Sequence, residues 1–307
     1  TLVTDAANLA RASAEKRMLP SGARVGFYDD RLRRRFLREK ELEDRFPHAL
    51  ANGEFHMYLQ PKVALPERCI VGAEALVRWI SPEGMLCPNE FVPLFERDGV
   101  IAELDFYMFC QVCALLKRWE REGRPLFCVS VNVSRSNFDV SDFFARYERH
   151  IAENQVPARY LEFEFTESVV FDRTGEINQV IRRIHALGAR CSMDDFGSSY
   201  SSLNMLRSLE VDIIKLDQGF FRGDTDMDKA RSIVNGIVGI ARDMRIETVA
   251  EGIEDMGQVD FLESVGCNVV QGYVFGKPML ADEFQDFKLD DTMRGNGDRG
   301  ESVEESR

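Results

Sequence analysis

No run of eighteen apolar residues occurs anywhere in this chain, so nothing in it reads as a membrane-spanning helix. A start methionine is also missing: the first residue is Thr1, and no signal-peptide pattern follows it. The sequence is therefore expected to be a piece of a longer parent. Positive charge is in short supply, because 39 Lys and Arg face 52 Asp and Glu and leave a net charge of -13. Such a surface repels polyanions and argues against a DNA or RNA polymer as partner. A small anionic ligand remains compatible where divalent cations reverse the local charge. The seven cysteines are an odd number scattered through apolar segments, which suits reduced thiols in a cytoplasm better than a disulfide framework. A parent anchored in a membrane upstream of this piece fits the same reading. Cys110 and Cys113 do form a CxxC, but one pair offers only two ligands and lies in a helical pattern, so both read as small core residues. Histidine is scarce as well: His48, His56, His150 and His185 are all there are, and none is followed by Asp.

What the chain does have is length and alternation. Its 307 residues, 44% of them hydrophobic, can bury a sizeable core. Residues 1–29 carry a helix-bearing stretch and the strand-like Ala23-Arg24-Val25-Gly26-Phe27-Tyr28. A highly charged helical pattern follows from Asp30, expected as a solvated connector over 30–46 rather than a nucleic-acid patch. From there strand-like segments alternate with amphipathic helical ones: Phe55–Gln60, Cys69–Trp79, Leu126–Val133, Tyr160–Thr166, Arg190–Asp194, Val211–Leu216, Glu247–Ala250 and Asn268–Gly272. Eight strands alternating with helices predict an α/β fold, a (β/α)8 TIM-like barrel over 47–287. Only Pro61 to Arg68 separate the first two strands, too few for a parallel crossover, so the first strand is expected to run antiparallel. The segment 288–307 is rich in Asp, Glu, Gly, Ser and Arg and is expected to be a disordered acidic tail.

Barrel strands buried on both faces should be nearly all apolar, yet most of these carry a polar group within the strand or at its C-terminal end. Glu74 lies in the second strand and Asn132 near the end of the third. Glu162 and Glu164 share one face of the fourth by period two, Asp194-Asp195 closes the fifth, and Lys215, Glu251 and Gln271 follow on the sixth, seventh and eighth. Taken singly, each reads as a satisfied buried polar group or a helix cap, as Asp194 or Asp195 could be. Taken together, they converge on the face where barrel enzymes keep their chemistry. So many carboxylates in one mouth repel one another unless cations neutralise them. An oxygen-rich set with an amide, and without His or Cys, points to Mg²⁺ or Mn²⁺. Adjacent aspartates suit a pair of ions, the usual clamp for displacement at phosphorus, with Lys215 as a further point charge. The residues alone therefore indicate a metal-dependent phosphodiesterase.

The same motifs resemble the EAL-domain family of cyclic-di-GMP phosphodiesterases. Glu74-Ala75-Leu76 is followed by Val77-Arg78-Trp79. Around it stand Gln60-Pro61-Lys62, Asn132-Val133-Ser134, Glu164-Phe165-Thr166-Glu167, Asp194-Asp195-Phe196-Gly197, Ile214-Lys215-Leu216-Asp217, Ala250-Glu251-Gly252 and Gln271-Gly272-Tyr273, leading to Lys277-Pro278. The resemblance implies a barrel with an antiparallel first strand and hydrolysis of cyclic-di-GMP to linear 5'-pGpG with Mg²⁺ or Mn²⁺. It implies Glu74, Asn132, Glu164 and Asp194 as ligands of one ion, with Asp194 and Asp195 holding a second together with Glu251. Glu251 is alternatively the general base. By the same resemblance Lys215 would orient the water, Gln271 is expected nearby in a supporting contact, Arg78 resembles the position that contacts a substrate phosphate and Gln60 one that lines the ligand groove. Glu167 anchors the loop after the fifth strand, where Ser198-Ser199 replace the commoner Thr-Gly; Ser199 restricts the backbone if φ > 0 is needed there. Residues 10–28 resemble the end of a GGDEF domain, implying a GGDEF–EAL tandem parent, and family members commonly form homodimers through the barrel. Two other readings are a receptor that binds the nucleotide without cleaving it and an interaction scaffold. Receptors of this family typically lack a metal ligand, the Lys or the Glu; this chain keeps them all. A hydrolase of the His-Asp metal type is excluded by the histidine pattern.

Overall fold

The structure, a computed structural model, describes residues 30–197, 206, 209–221 and 227–290. The expected GGDEF-like remnant at 1–29, the Ser198-Ser199 segment and the tail from 291 lie outside the described residues. Within 288–290, Leu289 is buried. The described residues divide into two compact units, one containing residues 30–55 together with Trp79–Asp98, the other His56–Arg78 and the described residues from Gly99 onward.

In the first unit, helix α1 (Asp30–Ala51) runs through Pro47, five residues longer than the expected connector. Its buried positions Leu42, Phe46 and Ala49 recur at helical spacing, while the Arg-rich first turns are exposed. Helix α2 (Pro88–Arg97) opens on a proline, whose missing N–H costs nothing in a first turn, and Glu90 accepts a hydrogen bond from the Cys87 N–H. The two helices enclose an aromatic cluster of Phe46, Phe55, Trp79, Phe91 and Phe95, with ring centroids 4.6 Å apart for Phe46–Phe95 and 4.9 Å for Phe55–Trp79. Trp79 Nε1 donates to Glu54 at 2.8 Å, so the one polar atom of that indole is satisfied. Arg97 pairs with Glu39 and Glu43 across the exposed faces of the helices, contacts worth little in water.

The second unit is a closed barrel of eight strands. Strand β1 (Phe55–Ala64) and β2 (Cys69–Ser81) are joined by a turn of four residues, and β2 continues parallel to β4 (Cys128–Asn132). From there β5 (Leu161–Thr166), β6 (Arg190–Phe196), β7 (Ile213–Leu216), β8 (Glu247–Ala250) and β9 (Val269–Gln271) each pair in parallel with the next. The ring closes where β9 meets β1 antiparallel, with Lys62 opposite Gln271, and where β1 pairs with β2. The reversed first strand expected from the short connection is therefore present, although β1 extends to Ala64 instead of stopping before Pro61. Along this edge β1 pairs first with β10 (Met279–Leu280) through Tyr58 and Leu59, then with β9 from Lys62. Pro61 falls at the change of partner, where a missing N–H does least damage to a ladder. A three-residue strand, β3 (Gly84–Leu86), pairs with the end of β2 within the first unit.

Helices cover the outside of the barrel: α3 (Ile101–Arg121), α4 (Phe144–Asn154), α5 (Glu167–Asp172), α6 (Thr174–Ala186), α7 (Met227–Asp243), α8 (Met256–Val265) and α9 (Ala281–Asp286). Strand β5 shows how period two divides the two faces. Leu161, Phe163 and Phe165 point outward, and the Phe163 ring lies 5.8 Å from Phe109 and 5.4 Å from Phe144. Glu162 and Glu164 take the alternate positions. Each outward phenylalanine contributes roughly 1.5–3 kcal/mol by burial, which supports the cost of keeping carboxylates on the opposite face.

Candidate active site

Neighbouring strands bring the polar residues into register. Asn132 on β4 lies opposite Glu164 on β5, Thr166 opposite Asp194 on β6, and Lys215 on β7 opposite Val249, two residues before Glu251. Loop contacts fix the ends. Buried Asp105 of α3 accepts from the Ser134 N–H and from Asn137 Nδ2, each at 2.8 Å, which turns the chain directly after Asn132. Gly252, at φ +64, makes the bend after Glu251, and Gly272 packs so closely on the Ile253 backbone that any Cβ would overlap it. Period two would send Asp194 and Asp195 to opposite faces. Between Met193 and Phe196 the β6–β7 register shifts, and Asp195 sits in the left-handed region at φ 57. This irregularity lets both carboxylates line the same cleft.

At the centre is Lys215, whose side chain is fully buried. Its ammonium lies 2.6 Å from Glu164, 2.7 Å from Glu251, 3.3 Å from Asp194 and 3.5 Å from Glu74. Glu74 also accepts from Asn132 Nδ2 at 3.1 Å and from Gln271 Nε2 at 2.5 Å, and Gln271 Nε2 reaches Gln60 Oε1 at 3.2 Å. The cleft above has a volume of about 250 Å³, and Gln60, Glu74, Asp194, Asp195, Glu251 and Gln271 are among its walls. That is room for several waters and a phosphodiester group. Glu164 and Lys215 lie beneath, almost without exposure. Two expected residues stand apart from this network. Glu167 accepts from the Gly197 N–H at 3.0 Å and so holds the start of the segment after β6. Arg78 turns its guanidinium over the Tyr58 ring, 5.7 Å from the centroid, and donates to the Val77 carbonyl.

Several residues join the site without a role having been assigned to them from sequence. Lys62 and Glu162 are buried and hydrogen-bonded to one another. Asp217, Glu254 and Tyr273 line the cleft. A lysine inside an apolar strand was the available signal for Lys62; Asp217 and Tyr273 were visible only as motif neighbours.

The charges are unbalanced. Among the described residues, Glu74, Glu162, Glu164, Asp194, Asp195 and Glu251 gather around two ammonium groups, those of Lys62 and Lys215. Burial works to raise the pKa of Glu164, but the ammonium groups of Lys215 and Lys62 hold its carboxyl well below the usual range. Burial lifts Glu251 well above it and raises Glu74, against the pull of Lys215 in both cases. Asp195 is pushed up to about 6, first by burial and then by Asp194 and Asp217. Burial disfavours a charged lysine, yet Asp194, Glu164 and Glu251 keep Lys215 firmly protonated.

Fold and site together define a (β/α)8 barrel with a carboxylate–lysine centre at the C-terminal ends of its strands. The model of the EAL domain matches residues 43–278, and the chain belongs to the EAL-domain family. The cyclic di-GMP phosphodiesterase PA2567 of Pseudomonas aeruginosa is 36% identical over 234 residues, covering 76% of this chain and 40% of that protein. The cyclic di-GMP phosphodiesterase PdeR of Escherichia coli is 33% identical over 245 residues, covering 80% and 37% respectively. Among solved structures, the PaMucR phosphodiesterase in complex with c-di-GMP superposes with a TM-score of 0.75 at 31% identity, covering 80% of this chain and 99% of that one. The chain spans 30–40% of the length of the curated relatives it matches first.

Family membership implies divalent cations, and the donor set fits them. Glu74, Asn132, Glu164, Asp194, Asp195 and Glu251 offer oxygen without His or Cys, the carboxylates exceed their counter-charges, and the buried Gln271 Oε1 has no partner. Among the described residues no three His, Cys, Asp or Glu side chains are gathered tightly enough to hold an ion as they stand, because the Lys215 ammonium occupies their centre. Asn132 directs its Nδ2 at Glu74, so using both as ligands requires that amide to be turned over.

A pH dependence follows from the raised carboxyls. Without metal, the folded protein keeps on Asp195 a proton that an unfolded chain loses near 3.8. This contribution to stability is complete below that value and is lost as pH rises through about 6. Glu251 and Glu74 act with the same sign. The melting temperature in EDTA is expected to fall from about pH 5 to about pH 7, and the rise produced by Mn²⁺ to grow over the same range, because the ion takes deprotonated carboxylates. A Mn²⁺ effect independent of pH, measured by scanning fluorimetry, would contradict this.

Proposed function

We propose that this domain hydrolyses cyclic di-GMP to linear 5'-pGpG, using two Mg²⁺ or Mn²⁺ ions. The observation that carries the reading is Lys215, fully buried and within 3.5 Å of Glu74, Glu164, Asp194 and Glu251. Divalent ions, when bound, neutralise phosphoryl oxygens and lower the pKa of water. Glu74, Asn132, Glu164 and Asp194 would hold one ion, and Asp194, Asp195 and Glu251 the other. Lys215 orients the attacking water, and Glu251, whose affinity for protons is raised by burial, alternatively serves as the base that takes its proton. Gln271 and Gln60 steady Glu74 and the groove, Arg78 takes a substrate phosphate, and Glu167 secures the segment after β6.

The competing reading is a receptor that binds the nucleotide without turnover. Retention of both Lys215 and Glu251, in contact at 2.7 Å, favours the enzyme. The partners proposed for the parent are an upstream GGDEF-like domain and a second copy of the chain. The exposed Ile233 and Ile240 on α7 support the second of these, and size-exclusion chromatography with light scattering tests it. A cytoplasmic setting accords with seven free cysteines.

Glu251→Ala tests the site assignment. Turnover is expected to fall by about 10²–10⁴-fold, while calorimetric binding of cyclic di-GMP with Ca²⁺ changes by less than about tenfold. Equal losses in both would make Glu251 a ligand holder instead.

A further inference from the structure

Lys62 enters the barrel from the reversed strand β1, and its side chain is almost wholly buried. Its Nζ lies 3.0 Å from Glu162 and 3.0 Å from Glu164 Oε1. The other oxygen of Glu164 accepts from Lys215 at 2.6 Å. Carboxylate and ammonium thus alternate along one line: Glu162, Lys62, Glu164, Lys215. We infer that Lys62 is a positioning residue, which clamps Glu164 by Oε1 with Glu162 as its anchor, so that Oε2 is the oxygen left to meet Lys215.

The inference deepens the proposed function and rests on its assignment of Glu164 as a ligand. A glutamate side chain has three rotatable bonds, and a ligating carboxylate must be held within about 0.5 Å of its working position. Lys215 cannot supply that restraint alone, because it is shared among four carboxylates. Fold stability is a poor reason for the Glu162–Lys62 pair, since well-packed apolar residues of similar volume commonly do as well or better than a buried ion pair. Ligand orientation is a sufficient one: outer partners of metal ligands typically change affinity or activity by about 10–100-fold when lost.

The pair carries no net charge, so Lys62→Met with Glu162→Met removes the clamp without changing the net charge of the site; Lys62→Arg, which keeps a positive charge beside Glu164, separates loss of the clamp from loss of that charge. Melting temperature, Mn²⁺ binding by calorimetry without substrate, and turnover at saturating Mn²⁺ are compared with the parent. The expected result is a fold that melts within a few degrees of the parent, Mn²⁺ binding about 10–100-fold weaker, and a lower kcat that excess metal does not restore. Mn²⁺ affinity and kcat equal to the parent's would overturn the inference and leave the proposed function standing. A parent that binds no Mn²⁺ would overturn both. If the double variant does not fold, Lys62→Arg, which keeps the charge and moves the donors, is measured in the same way; unchanged Mn²⁺ affinity there would overturn the clamp.

Discussion

Exchange of Lys215 for methionine is expected to lower hydrolysis of cyclic di-GMP by about 10³-fold or more and to destabilise the metal-free protein by about 3–5 kcal/mol. Both effects have one cause. Lys215 is the only described cation within 4 Å of Glu74, Asp194 and Glu251, and it shares Glu164 with Lys62 alone. Without it, those carboxylates face one another in a buried mouth, and the donor proposed to orient the water is gone. The two effects separate on addition of Mn²⁺. The ion replaces the missing positive charge and is expected to restore much of the stability, but not the rate. A variant as stable in EDTA as the parent would show that Lys215 does not balance the cluster.

The second large effect is expected at the ligand positions. Glu74→Ala and Asp194→Ala should each remove metal-dependent cleavage, a loss of about 10³-fold or more for a group acting as one unit, with unchanged circular dichroism. Glu74 joins Asn132, Gln271 and Lys215, and Asp194 closes on Lys215 and on the Asp195 N–H. Neither carries the apolar packing on which the barrel rests. The fold should therefore survive, since removing one carboxylate relieves repulsion among the others. Near-normal activity in either variant would show that the residue is not a ligand.

The barrel was legible in the sequence because its signals are long-range and redundant. Apolar strands alternate with amphipathic helices, and the eight residues from Pro61 to Arg68 are too few for a crossover. The limits were local. Pro61 reads as a strand end, but β1 continues to Ala64 because the partner strand changes at that point. Strands β3 and β10, of three and two residues, have no periodicity to detect. Helix α1 passes through Pro47 to Ala51 because Phe46 and Ala49 are buried in the aromatic core of the first unit, a tertiary gain that outweighs the local signal.

At the site, strand position told which residues could meet, and the structure gathers Glu74, Asn132, Glu164, Asp194, Lys215, Glu251 and Gln271 into one network. Side-chain direction was not legible. Arg78 lies over Tyr58, and both aspartates face the cleft only because of an irregularity and a left-handed residue that no alternation pattern encodes. The depth of the ionic line through Lys62 and Glu162 likewise depends on which face of β1 points inward.

The most direct test is chromatographic separation of products after purified protein is incubated with cyclic di-GMP and Mg²⁺, Mn²⁺, Ca²⁺ or EDTA. Linear 5'-pGpG formed with Mg²⁺ or Mn²⁺ and absent with EDTA is the expected result. Intact nucleotide under every condition, alongside tight binding of it, would contradict the account and make the domain a receptor.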